Sequence, residues 1–387
     1  MTETPFKVGG LVEPPYFVGR EEELAKLCDD ARNLTQNNLI LAPRRYGKSS
    51  LLHNLKLNLQ QESGLLIPYI NCREIASYAD FYRVTVMALL SEYERKTRIA
   101  GLLQTFRVVF KAKFLKAIKQ IEEVEGSLDE VGRMYLRFRE QAVDEQELVQ
   151  AAFRFFRSFA QEKDVRILFL LDEFQEAAEF NGYLFNLFKK ELDEAPAIRY
   201  FFSGSSMKML SDIFLREDAP LYLMISRHYM KALQEDDIVS FIQERLAIVG
   251  LSITQHTAKI FYKLTGGIPY YIQKLGVIVA QSAMSEGRTT VTPSHVDNAF
   301  AAMLEELDSE FEVRWLSRFS NQQRRIVQAL SELGEARLKD IAAEMMVRSP
   351  DISSAVSRLK DMMILQRREN GSYYITDRVF AAWIASM

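Results

Sequence analysis

Short runs that are apolar throughout alternate along this chain with longer stretches that repeat apolar residues every three or four positions. The short runs are Asn38–Leu41, Leu65–Ile70, Arg166–Leu171 and Arg199–Phe202, with a fifth near Leu221–Ile225. A run of four to eight residues without polar alternation reads as a strand buried on both faces. The intervening periodicity predicts helices from Glu21 to about Asn33, from Ser50 onward, over Tyr78–Arg95 and over Asn181–Leu192. Glu21, Glu22 and Glu23 suit the positive end of the first helix. Leu102–Ala160 reads as helical throughout, with a break at Gly126-Ser127. Strand alternating with helix predicts an α/β fold built on a parallel sheet covered on both faces.

Past Tyr229 the pattern turns to helices alone: Gln234–Val249, His256–Leu264, Tyr270–Ser285 and Pro293–Glu306. Three more follow at Phe319–Leu333, Leu338–Met345 and Ser349–Met362. Ser349 is the expected N-cap of the last of these and Pro350 its first-turn proline. Ile364–Arg368 and Tyr373–Ile375 flank Asn370-Gly371, a dipeptide that favours a tight hairpin. Three helices and a hairpin predict a winged helix-turn-helix. The expected division is a core at 1–230 with a helical insertion at about 100–160, a helical lid at 231–312 and a winged helix at 313–387.

Composition narrows this picture only a little. A chain of 387 residues suits two or three domains, and 48% hydrophobic with 26% charged residues describes a folded chain. A net charge of −3 gives no whole-molecule attraction to nucleic acid or membrane, so such affinity needs a local patch. Cys28 and Cys72 lack His or Cys neighbours at metal-ligand spacing, which argues against a zinc site or disulfide framework. Met1–Pro5 has neither a charged leader nor an apolar core, and no apolar run approaches a membrane span. The expectation is a soluble cytoplasmic protein without a membrane partner.

The chemistry concentrates at three places. Ala42-Pro43-Arg44-Arg45-Tyr46-Gly47-Lys48-Ser49, continuing into Ser50, follows a predicted strand and opens a predicted helix. That context is the one a phosphate-binding loop requires, with backbone N–H groups and a helix N-terminus aimed at the phosphates. Gly47 leaves room for close approach, Lys48 would reach the β- and γ-phosphates, and the Ser49 hydroxyl would ligate Mg²⁺. Ala42 stands where the pattern usually has Gly, which is tolerable if its φ is negative. Second, the apolar strand Ile167–Leu171 ends in Asp172-Glu173. Asp172 is a candidate Mg²⁺ ligand and Glu173 a candidate general base. Third, Tyr200–Phe202 runs into Ser203-Gly204-Ser205-Ser206, where a hydroxyl such as that of Ser205 could orient the attacking water. ATP and Mg²⁺ are the implied cofactors.

Phe17-Val18-Gly19-Arg20-Glu21, Pro43–Leu51, Leu171-Asp172-Glu173-Phe174 and Gly204-Ser205-Ser206 together resemble the archaeal-type ATPases, a signal-transduction branch (STAND) of the AAA-related P-loop NTPases. The resemblance spans essentially the whole chain. It implies a phosphate-loop strand flanked by the third-motif strand, with a glutamate as catalytic base. It also implies that Gly19-Arg20 and Gly267-Ile268-Pro269 lie near the adenine and ribose. The family often carries an arginine soon after a Pro-Leu-Tyr sequence; here Pro220-Leu221-Tyr222 is followed by Arg227, with Arg216 the alternative finger or sensor. Arg44 and Arg45 could also lend charge to the γ-phosphate.

In the C-terminal part Ser353, Ser354, Ser357 and Arg358 would enter a major groove, with Arg367 and Arg368 on phosphates. From Arg318 onward eleven Lys and Arg stand against eight Asp and Glu, a mild +3. Asp351 opposes DNA there, and winged helices also serve as protein contacts. Arg107, Lys111, Lys113, Lys116 and Lys119 give Leu102–Ile121 a basic face, read first as a solvated surface and second as a partner site. The leading reading is an ATP-hydrolysing switch coupled to double-stranded DNA or a protein partner, with a homo-oligomer if an arginine acts in trans. The alternative is a non-hydrolysing ATP-dependent scaffold or DNA-binding regulator.

Overall fold

The computed structural model describes residues 4–98, 145–179 and 181–387. The basic face of Leu102–Ile121 therefore lies outside the described residues, as does most of the predicted helical insertion.

Among the described residues six strands form one parallel sheet: β1 (Asn38–Leu41), β2 (Leu65–Leu66), β3 (Tyr69–Asn71), β4 (Arg166–Asp172), β5 (Ile198–Gly204) and β6 (Ser226–Tyr229). The order is β2-β4-β5-β1-β6, with β3 continuing the β2 edge against β4. Every pair in it is parallel. The predicted strand Leu65–Ile70 is split at Ile67-Pro68, because Pro68 has no N–H to give a ladder, although its carbonyl still accepts from Leu170 (2.9 Å). The fifth strand is Ser226–Tyr229 and not Leu221–Ile225. Leu221 and Ile225 are buried from a turn, while the edge strand itself carries polar, half-exposed residues.

Alternation along the inner strands feeds two cores. Ile40, Leu168, Leu170 and Phe201 face one side with the helices that follow the sheet. Leu39, Phe169, Tyr200 and Phe202 face the other, against the helices Tyr78–Thr97, Glu145–Glu162 and Asn181–Glu194. That second core is dense in rings: Phe174 meets Phe202 at 4.6 Å and Phe188 at 5.6 Å between centroids.

Beyond the sheet come helices Glu235–Ala247, Gln255–Thr265 and Pro269–Ser285, then a long one at Pro293–Arg318. The last continues twelve residues past the predicted end at Glu306, straight through residue 312. Leu307, Phe311 and Trp315 carry its buried stripe through a run rich in carboxylates. Helices Asn321–Leu333, Leu338–Glu344 and Ser349–Asp361 follow, then the antiparallel pair Leu365–Arg367 and Tyr373–Ile375. A third short strand, Glu335–Ala336, joins this hairpin, and helix Arg378–Ala385 closes the chain. The third of these helices is capped at Arg348, one residue before the predicted Ser349. Asp351 in its first turn accepts the Arg348 N–H (3.3 Å) and pairs with its guanidinium (3.1 Å). No described helix is long and apolar enough to cross a membrane.

Candidate active site

The phosphate loop leaves β1 at Ala42 and enters helix Lys48–Leu59. Ala42 is buried and is not among the residues with positive φ, which is why Ala is accommodated there. The left-handed positions are Arg45 (φ 75°) and Gly47 (φ 87°). Gly47 sits directly before the helix and supplies no side-chain cap, so the first-turn N–H groups face the pocket. The parallel register then carries the other motifs to the same edge: Ile40 pairs with Ser203 and Leu41 with Gly204, while Leu171 pairs with Phe202. Thus β5 lies between the phosphate-loop strand and the strand that ends in the two carboxylates.

Ser49 Oγ donates to Asp172 Oδ2 at 2.6 Å, so the two predicted metal ligands meet across 123 residues of sequence. Asp172 also accepts from the Tyr69 hydroxyl (2.7 Å) and from the Ser203 hydroxyl. A buried carboxylate surrounded by hydroxyl oxygens fits a small hard cation, which takes oxygen donors and completes its shell from phosphate and water. Burial and the neighbouring Asp172 push the Tyr69 hydroxyl pKa up, keeping it a proton donor.

Glu173 is mostly buried, and its backbone is left-handed (φ 54°). One carboxylate oxygen lies 4.0 Å from Lys48 Nζ and 3.6 Å from Arg73. The other accepts from Ser205 Oγ at 3.1 Å and from the Gln175 amide. Gln175 in turn accepts the Ser205 N–H (3.2 Å), and a side chain at Gly204 would collide with that amide. Burial pulls the Lys48 ammonium below its ordinary pKa, and Glu173 and Asp172 act against the shift.

A cavity of about 380 Å³ joins these groups. Arg44, Gly47, Lys48, Ser49, Ser50 and Glu173 line its floor. Its roof is Gly9–Val12 of the N-terminal arm together with Pro269 and Tyr270 at the start of helix Pro269–Ser285. Beside it lies a narrower, mainly apolar slot lined by Val18, Arg20, Phe241, Pro269 and Ile272, where Gly47 and Ser50 mark the phosphate end. Gly19 (φ 66°) packs on Asp237 and Leu233; Arg20 is buried and bonds the carbonyls of Lys231 (2.6 Å) and Tyr46 (3.5 Å). The arm is pinned by Phe6 against Phe241 and by the Arg245 guanidinium on the carbonyls of Thr4 and Pro5.

The two candidate finger or sensor arginines make contacts of their own. Arg227 bonds the Phe214 carbonyl (3.2 Å) and rests on the Tyr222 ring, and it lines neither cavity at the phosphate loop. Arg216 is exposed between Asp212 and Asp218. Arg45 turns towards the C-terminal part. Its guanidinium lies over Tyr270 (5.0 Å), Tyr271 (4.9 Å) and Phe311 (5.3 Å), pairs with Glu310 (2.5 Å) and faces Asp377 at 4.0 Å. Sequence reasoning also passed over Tyr69, Arg73 and Gln175. The only trace of them was a hydroxyl inside the run Leu65–Ile70 and polar residues a few positions past the ends of that run and of Arg166–Leu171.

A parallel sheet with its phosphate loop, paired carboxylates and hydroxyl-bearing third strand at one edge defines a P-loop nucleotide hydrolase of the type with a strand inserted between the phosphate-loop strand and the carboxylate-bearing strand. Residues 17–275 match the model of an ATPase domain family found predominantly in Archaea, so the chain belongs to that family and is an ATPase. Over the whole molecule it is similar to a Walker-type ATPase of Pyrococcus abyssi, at 20% identity and a TM-score of 0.68, covering 98% of this chain and 99% of that one. It is also similar to the ORC2 protein of Aeropyrum pernix, solved as ADPNP–ADP complexes, at 13% identity and a TM-score of 0.58, covering 99% and 97%. A search of curated protein sequences found no match.

Proposed function

We propose that this chain is an ATP-driven switch in which the state of the phosphate loop sets the posture of the C-terminal part. The observation that carries the reading is Arg45. It belongs to the phosphate loop, yet its partners are lid tyrosines, the long helix and Asp377 at the start of the last helix. A γ-phosphate beside the loop would compete for that guanidinium, so bound nucleotide and the C-terminal contacts bias one another.

In this reading Lys48 and the first-turn N–H groups of its helix hold the phosphates, and Ser49 and Asp172 hold Mg²⁺, which would supply charge neutralisation on the phosphate oxygens. Glu173 serves as general base, oriented by Gln175 and Ser205. The slot beside Arg20 and Pro269 takes the base and ribose, and Arg44 faces the outer phosphate. Arg227 is assigned as the sensor or finger and would have to act after a rearrangement or in a second copy.

Residues 1–230 act as the hydrolytic core, 231–312 as the lid and 313–387 as a winged helix whose exposed Ser353, Ser354, Ser357 and Arg358 meet double-stranded DNA or a protein partner. The setting would be cytoplasmic. The test is phosphate release from Mg-ATP by wild type and Glu173→Gln, each with and without duplex DNA. Turnover lost in the variant and raised by DNA is expected. Turnover indifferent to DNA would turn the search to a protein partner; tight ATP binding with no release from wild type would make the chain a scaffold and overturn the hydrolytic switch.

A further inference from the structure

Between the outer side of the phosphate loop and the C-terminal hairpin runs a second cleft, of about 720 Å³ and separate from the ATP cavity. Five cations line it: Lys231 just past β6, Lys360 at the end of helix Ser349–Asp361, Arg367 and Arg368 on the hairpin, and Arg378. Among the described residues no carboxylate does. Among the described residues only Arg368 of the five has an acidic partner, Glu335 at 2.7 Å. Asp377, next door, is already held by Arg314 and Tyr271.

The walls between these charges are aromatic. Tyr229 ends β6 with 54% of its surface exposed, unusually open for so large a ring. Tyr262 and Tyr374 contribute half-buried rings, the latter with Arg368 stacked on it at 4.8 Å. The floor is Pro43 and Tyr46 of the phosphate loop itself.

Cations spaced along a groove, with rings set between them, is how proteins hold an unpaired nucleic acid strand: charge follows the backbone and rings take the bases. Cations alone would serve any polyanion; the tyrosines are what favour a chain carrying bases. The volume is that of a small-molecule pocket and admits a few unpaired nucleotides, not a duplex. We infer that this cleft is a binding site for single-stranded nucleic acid. The hairpin arginines thereby line the cleft, and the inference does not depend on ATP hydrolysis.

The test is fluorescence anisotropy of a labelled thymidine oligonucleotide with the full chain, without nucleotide, across a salt series. Five backbone contacts predict a slope of log K on log salt near −3.5, from about −0.7 per contact. The double variant Lys231→Ala/Arg378→Ala should flatten that slope by about 1.4. Tyr229→Ala, at an exposed position, should weaken binding by roughly five- to a hundred-and-fiftyfold, the loss of one stacked base. Glu335→Gln, which frees Arg368, should tighten it. Absence of binding, a preference for duplex of the same sequence, equal displacement by polyglutamate, or indifference to all three variants would overturn the inference.

Discussion

Asp377→Asn isolates the contact through which the phosphate loop meets the C-terminal part. One oxygen of Asp377 caps helix Arg378–Ala385 by accepting the Phe380 N–H (3.0 Å), and asparagine caps about as well. The other accepts from Arg314 (3.1 Å) and the Tyr271 hydroxyl (2.9 Å) and faces Arg45 at 4.0 Å. The substitution therefore keeps the cap and removes a charge that is 14% exposed between two guanidiniums. Removing one partner of a fully buried pair costs about 3–5 kcal/mol, and residual solvent here brings the expectation to roughly 2–3 kcal/mol. Asp218→Asn is the control: its pair with Arg216 is shorter (2.7 Å) but 69% exposed, so its loss should cost less than about 1 kcal/mol. Burial decides the ranking, not distance. Calorimetry reads both variants. If the C-terminal part melts by itself, a loss of this size should move its transition by roughly 10 °C or more, at about 4–8 °C per kcal/mol for a unit of 60–100 residues. The apparent affinity for ATP should change with it, because Arg45 loses an anchor. Equal, small shifts for Asp377→Asn and Asp218→Asn would show that the buried Asp377 charge holds no more than an exposed one.

Two further predictions concern other parts of the molecule. Glu191 is buried in the second core, and burial pushes its carboxyl up to about 7, against the opposing pull of Arg157. The folded protein then keeps a proton that the unfolded chain releases near its ordinary value of 4.5, so stability should fall as pH rises from about 4.5 to 7, by up to ~3 kcal/mol. Glu191→Gln should melt like wild type at pH 5 and higher than wild type at pH 8; parallel pH profiles would remove the argument. At Gly276 a Cβ would land 2.6 Å from the Phe6 ring, so Gly276→Ala should dislodge the N-terminal arm at a cost of about 1–3 kcal/mol. Faster tryptic cleavage after Lys7 and weaker ATP binding are expected, since Gly9–Val12 roof the phosphate cavity; unchanged cleavage would show that the ring simply shifts.

Whatever local spacing encodes is legible along the chain. The phosphate loop is eight consecutive residues between a strand and a helix, so its groups are positioned by the same short chain that names them. Asp172 and Glu173 are legible for a related reason: a strand apolar on both faces must be central, and its end must open at the edge where loops converge. The hairpin at Asn370-Gly371 follows from turn chemistry alone. Where burial and local pattern separate, the reading slips. Leu221–Ile225 is apolar because a turn dips into the core, whereas the edge strand beside it carries Arg227 and His228 because an edge need not be apolar. The long helix outruns its predicted end because Glu305, Glu306, Asp308, Glu310 and Glu312 hide a buried stripe that continues every fourth residue to Trp315. Tertiary structure alone decided the direction of Arg45, the hydroxyls that Tyr69 and Ser203 bring to Asp172, and the cleft that joins Lys231 to Arg378. Each depends on segments from 31 to more than 300 residues apart. Such pairs meet only after the sheet register and helix packing are set, and no spacing along the chain records the free energy that makes that packing unique.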